Sequence, residues 1–112
     1  MTDYMLSMYY PQVPSSVPDN IQEIMERVNA LTARMREADA LVWTGGLEFA
    51  GAARVVTAGE PPLVTEGPYL ETNEAIGGFW ILRADSSDEA HDWAAQASEA
   101  VGLPIEVRAF QG

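Results

Sequence analysis

Glu66 and Glu71 flank a constrained turn, Glu66-Gly67-Pro68-Tyr69, and stand just ahead of Gly77-Gly78 and the apolar run Phe79-Trp80-Ile81-Leu82. Gly67 can take a positive φ and Pro68 fixes its own, so this turn can aim a carboxylate and a phenol from a rigid frame. Paired carboxylates do acid–base work when burial separates their pKa values, or bind a hard divalent cation through oxygen. Two plainer roles compete. The turn can simply end a hairpin, with Glu66 accepting backbone N–H bonds, and both acids can face water.

His91 is the sole histidine, and a neutral imidazole is a natural general base near neutral pH. It lies one residue off the stripe Ala90, Trp93, Ala94, Ala97, where the expected environment is solvent, with Asp88 three residues back as a neighbour. No Ser-His-Asp or Cys-His arrangement can be assembled without it, and no glycine loop with a phosphate-binding lysine is present. Trp43, Phe79 and Trp80 can line an apolar pocket with Tyr69 as a polar handle, or can be core and interface residues. Arg27 and Arg34 are spaced for a small basic face, although Glu23 offers Arg27 an ordinary surface partner.

Seventeen acidic residues against six arginines and no lysine give a formal charge of −11. Such a field repels phosphate backbones and anionic lipid, so neither nucleic acid nor a membrane is an expected partner. The missing lysines remove Schiff-base catalysis, and the absence of cysteine removes disulfides, thiolate chemistry and cysteine-bound metal centres. No apolar run is long enough to span a bilayer and the N-terminus lacks the pattern of a signal peptide, which makes the cytoplasm the expected location. At 112 residues and 47% apolar content, one domain spanning residues 1–112 is expected, with a core of its own.

Tyr4–Tyr10 reads as a strand ending at Pro11, followed by a loop through Pro14, Ser15, Ser16 and Pro18, where Ser16 and Asp19 form a weak capping signal. Ile21, Ile24, Met25, Val28, Leu31 and Met35 recur at helical spacing and predict a helix over about 18–39. Leu41–Thr44 is strand-like before Gly45-Gly46, and Arg54–Thr57 with Pro61–Val64 reads as a hairpin. Gly78–Leu82 is a strand with both faces covered. Ser86 and Glu89 cap a second helix that Gly102 and Pro104 stop, and Ile105–Ala109 alternates as a last strand.

That order predicts an α+β fold: a ferredoxin-like βαββαβ plan with an inserted β-hairpin and an antiparallel sheet. Two helices cover one face of such a sheet. Tyr4, Met8, Trp43, Phe79 and Trp80 are read as making the other face too apolar for water, so a homodimer is expected.

The segment Glu66-Gly67-Pro68-Tyr69, Glu71-Thr72-Asn73-Glu74, Gly77-Gly78 resembles the signature of the DGPF or YCII-related family: an Asp-Gly-Pro-Phe turn, then Glu-Thr-Lys-Glu, then Leu-Gly-Gly opening a strand. Glu66 here replaces the usual Asp and Asn73 the usual Lys, and the longer acid would strain a catalytic geometry built on Asp. The resemblance spans nearly the whole chain and implies a dimeric α/β barrel built from two facing sheets. Relatives in the wider superfamily have been proposed to use a His-Asp pair with the His in the first helix, where Ile21–Arg27 has none. The candidate ligand-binding set is therefore Trp43, Glu66, Gly67, Pro68, Tyr69, Glu71, Thr72, Gly77 and Gly78, around an unidentified small molecule. Glu66 and His91 are the candidates for proton transfer if the protein is a cofactor-free enzyme; no metal ligands and no cofactor are assigned. The family's association with alternative sigma factors implies a third possibility, a regulatory protein partner.

Overall fold

The computed structural model describes residues 1–12 and 18–112. The capping signal at Ser16 and the loop signals at Pro14 and Ser15 lie outside the described residues. The elements run β1 (Thr2–Pro11), α1 (Ile21–Glu37), β2 (Leu41–Gly46), a single 3₁₀ turn (Ala50–Ala52), β3 (Arg54–Thr57), β4 (Leu63–Glu66), β5 (Glu74–Ala84), α2 (Ser87–Val101) and β6 (Ile105–Ala109). The main sheet is antiparallel with strand order β2-β5-β1-β6, and β3 and β4 form a separate two-stranded sheet. This is the ferredoxin-like α+β plan with its inserted hairpin.

The parity of the sheet is set by β1. Leu6 is fully buried and pairs with Trp80, while Tyr4 pairs with Leu82, so the even-numbered residues of β1 point at the helices. Against them α2 presents Ala90, Ala94, Ala97 and Ala100, small residues that let the helix lie close to the large side chains of the sheet. The helix is held at both ends by the residues that announce it. The Ser86 hydroxyl accepts from the Glu89 N–H at 3.2 Å, the Glu89 carboxylate accepts from the Asp85 N–H at 3.1 Å, and Gly102 closes the end at φ +74°.

Three residues expected on the uncovered face lie on the other one. Tyr4 and Met8 pack against the core, and Trp80 is 4% exposed within it. Adjacent residues on a strand point to opposite faces, so Phe79 and Trp80 cannot share one. The uncovered face instead carries Met5, Ser7 and Tyr9 of β1, Phe79 and Ile81 of β5, and Trp43 of β2. Trp43 and Phe79 stack in a tilted pair with centroids 5.4 Å apart.

α1 also departs from expectation. It spans Ile21–Glu37, and of its apolar stripe only Leu31 and Met35 are buried, with Thr32 beside them. Ile21 and Met25, on the same stripe, remain exposed because the first half of the helix stands away from the sheet. Its middle is tied to α2 by Arg27, whose Nε donates to the Ala100 carbonyl at 3.0 Å, and its last half is fastened by a buried relay in which Trp80 Nε1 donates to Thr32 Oγ1 and Thr32 Oγ1 donates to the Val28 carbonyl.

Thr32→Val leaves the buried Trp80 N–H without its acceptor, and should cost about 1–3 kcal/mol in denaturant unfolding. Thr32→Ser, which keeps the hydroxyl, should lose clearly less. Equal losses for the two would show that the packing of the Thr32 methyl matters and the hydrogen bond does not.

Candidate functional site

The signature segment begins where the hairpin closes. Gly67 has φ +91°, its N–H donates to the Ala53 carbonyl at 2.9 Å, and no atom lies within 4 Å of where its Cβ would be. A backbone requirement, not a lack of room, therefore explains glycine here. Glu66 is exposed and stands in register with Arg54, whose guanidinium donates to the carbonyls of Gly51 and Ala53 instead. Tyr69 is 84% exposed, and Glu71 also faces solvent.

Beyond this turn the loop is tied to the end of β1. Gln12 donates from its backbone to the Asn73 carbonyl and from its side chain to the Thr72 carbonyl, while the Thr72 hydroxyl donates to the Glu74 carbonyl. β5 then starts with a bulge: Met8 faces Gly78 and Tyr9 faces Ile76, which leaves Gly77 extra. A Cβ on Gly77 would come within 2.8 Å of the Tyr10 ring and 3.2 Å of Met8 Cε. One on Gly78 would meet the Gly45 carbonyl at 3.2 Å, so β2 and β5 approach through glycine. The Tyr10 hydroxyl accepts from the Ala50 N–H at 3.0 Å and links β1 to the loop after β2.

These constraints leave two hollows, one on each side of the sheet. On the helix side, a cleft of about 1260 Å³ runs between the splayed half of α1 and the strands. Its helical wall includes Met25, Val28, Thr32 and Arg36, and its floor includes Tyr10, Thr44, Gly77, Gly78 and Trp80. Side chains are missing from much of that floor because glycine occupies positions 45, 46, 77 and 78. Arg36 makes no ion pair among the described residues. No carboxylate or imidazole appears among the described residues that line the cleft. On the opposite side, a recess of about 780 Å³ lies between Tyr9 and Ile76 of the uncovered face, Phe49 of the β2–β3 loop and Pro68, Tyr69 and Leu70 of the turn.

The candidate residues thus divide. Pro68, Tyr69 and Thr72 border the recess, Gly77 and Gly78 border the cleft, and Trp43, Glu66, Gly67 and Glu71 line neither. His91 is exposed on α2, without an ion pair to Asp88 or any other acid among the described residues. The expected Glu23–Arg27 pair is present at 4.0 Å between exposed side chains. Among the described residues no group of three or more His, Asp or Glu side chains can hold a metal ion, and no helix is long and apolar enough to cross a membrane.

A family model for the YCII-related domain matches residues 3–109, nearly the entire chain. The chain belongs to the YCII-related domain family. No curated protein matches it. Within this YCII-related domain the signature residues act first on the backbone: Gly67 turns the chain, and Gly77 and Gly78 let strands and Tyr10 close up. Sequence reasoning missed Tyr10, Phe49 and Arg36. The apolar text Leu47-Glu48-Phe49 straight after Gly45-Gly46 was the available signal for Phe49, and the i, i+4, i+7, i+11 series Met25, Asn29, Thr32, Arg36 was the signal for one continuous helix face.

Gly67→Ala should cost about 1–2 kcal/mol, since alanine is strained at this φ, whereas exposed Glu66→Gln should stay within about 0.5 kcal/mol of the parent. Chemical denaturation of both variants checks this. Equal destabilisation would make Glu66 a structural acceptor.

Proposed function

We propose that this YCII-related protein is a homodimeric binding domain whose cleft takes a small, largely apolar molecule bearing an anionic group. The cleft carries the reading: the apolar stripe of α1 continues past the core, and the sheet beneath it offers glycine where side chains would otherwise fill the space. Met25, Val28, Tyr10 and Trp80 suit an apolar body. Arg36, a permanent cation without an acidic partner among the described residues, suits an anion at one end. The lining supports binding over proton transfer, because both candidates for acid–base work, Glu66 and His91, stand outside it.

Support for the homodimer comes from the uncovered face. Its centre is apolar, with Met5, Tyr9, Phe79, Ile81 and a Trp43 that is 60% exposed. Its margin is charge-balanced: Arg83 pairs with Asp3 at 3.0 Å and Arg108 with Glu106 at 3.3 Å. In a chain of charge −11, a neutral apolar face is where two copies can meet without strong repulsion.

The cleft is tested with two fluorescent probes that share a ring system, anionic 1-anilinonaphthalene-8-sulfonate and neutral N-phenyl-1-naphthylamine. Both should bind saturably, one per chain. Gly46→Leu should block both, because a Cβ there has nothing closer than the Gly77 carbonyl at 3.9 Å and the side chain can enter the cleft without displacing backbone. Arg36→Gln should weaken the anionic probe about tenfold and spare the neutral one. His91→Ala should alter neither. Binding that survives Gly46→Leu would place the probes elsewhere and overturn the cleft as the site.

A further inference from the structure

The β3–β4 hairpin is an arm without a seat. Its packing is within itself, and Val56, Leu63 and Val64 are 63%, 61% and 58% exposed. The ladder puts Val56 opposite Val64 on one face of the arm, and Leu63 on the other. An isolated two-stranded hairpin is marginal in water, and one with apolar side chains on both faces gains stability only when something covers it. The radius of gyration, 15.9 Å, exceeds the roughly 13 Å of a compact chain of this length, as a projecting arm requires.

The same chain carries an unfilled apolar recess, bordered by Tyr9, Phe49, Leu70 and Ile76. Ala53 and Pro68, at the root of the arm, form part of its wall, but no residue from Arg54 to Glu66 reaches it. Tyr9 and Ile76 also belong to the uncovered sheet face, so the recess opens beside the surface through which two copies would meet. One molecule thus offers an apolar projection and an apolar hollow that it cannot join within itself. A two-fold pair can join both at once, each arm entering the other's recess.

We propose that the β3–β4 arm is exchanged between two copies, so that Val56 and Val64 of each chain fill the recess of the other. The inference rests on the homodimer proposed above. Charge favours a second copy over a basic foreign partner. Residues 54–66 hold one arginine and two glutamates, a net charge of −1; Glu48 and Glu74 stand at the recess, and the ion pairs Arg83–Asp3 and Arg108–Glu106 balance the sheet face beside it, whereas the whole chain carries −11. A basic partner would be drawn to the acidic remainder of the surface.

Sedimentation velocity on three proteins tests this: the parent, Trp43→Thr on the sheet face, and Val56→Thr with Val64→Thr on the arm. At Val56 and Val64 threonine keeps the β-branched shape and adds no charge, and at Trp43 it removes the exposed indole and its stack on Phe79. The parent should be a dimer, and each variant should weaken dimerisation about a hundredfold with an unchanged far-UV spectrum. If the face variant dissociates and the arm variant dimerises like the parent, the exchange is overturned and the dimer stands. A monomeric parent overturns both, and open-ended growth with concentration overturns the reciprocal pair. The chain has no cysteine, so mixing Val64→Cys with Leu70→Cys under mild oxidation gives a direct readout. Leu70 is exposed and borders the recess, and a covalent heteropair in high yield is the expected product. Its absence in a dimeric mixture would place the arm elsewhere and overturn the exchange.

Discussion

The close approach of β2 and β5 through glycine is the constraint on which the rest of the architecture depends. Gly46 stands opposite Gly78 and Gly45 opposite Phe79, with the Gly45 carbonyl 3.2 Å from where a Gly78 Cβ would sit. A side chain at Gly78 would force the edge strand outward. Gly77 does the same service for Tyr10, whose ring lies where its Cβ would be and whose hydroxyl then anchors the β2–β3 loop at Ala50. The consequence is twofold. The sheet closes tightly at its β2 edge, where Trp43 stacks on Phe79, and among the described residues no side chain of that edge fills the space beneath the first half of α1.

The splayed half of α1 has a cost that the fold must offset elsewhere. Ile21 and Met25 keep 40% and 48% of their surface exposed, so each forgoes only a share of the roughly 1.5–3 kcal/mol that full burial supplies. The second half of α1 supplies the compensation through Leu31 and Met35, which are fully buried, and through the Trp80–Thr32 hydrogen bond, while Arg27, just before the middle of the helix, ties it to the end of α2. A helix anchored at one end and splayed at the other leaves room for a ligand beside a core that does not depend on it.

Much of this was legible in the sequence, and the failures have definite physical causes. Capping residues act locally, so Ser86, Glu89 and Gly102 marked α2 correctly. Gly67 is free to take a positive φ because it has no Cβ, and it does so at φ +91°. The uncovered face was misread because large aromatic residues were gathered by type and not by parity; Phe79 and Trp80 are neighbours and must part. The stripe on α1 told which side faces inward without telling how far the sheet extends beneath it. Periodicity gives direction, and only the length of the opposing strands decides burial. The division of the signature between two sides of the sheet was likewise invisible, because it follows from the bulge at Gly77, one residue that breaks the alternation.

The cleft lies on one side of the sheet and the uncovered face on the other, so the proposed binding and the proposed pairing are separate in space, yet the two share a strand. Phe79 stacks on Trp43 on the uncovered face, and the next residue, Trp80, hydrogen-bonds Thr32 at the wall of the cleft. A shift in β5 therefore moves both. Coupling between the two faces needs a differential effect on that strand, and a ligand that merely fills apolar space without touching the Trp80–Thr32 bond has none to offer. Only a molecule that reaches deep enough to alter this bond, or that draws α1 down onto the sheet, can make assembly depend on occupancy. Because Arg27 ties the middle of α1 to α2 and Leu31, Thr32 and Met35 clamp its second half, that closing movement is confined to the turns before Arg27, and a ligand that leaves those turns in place would leave the proposed pairing unchanged.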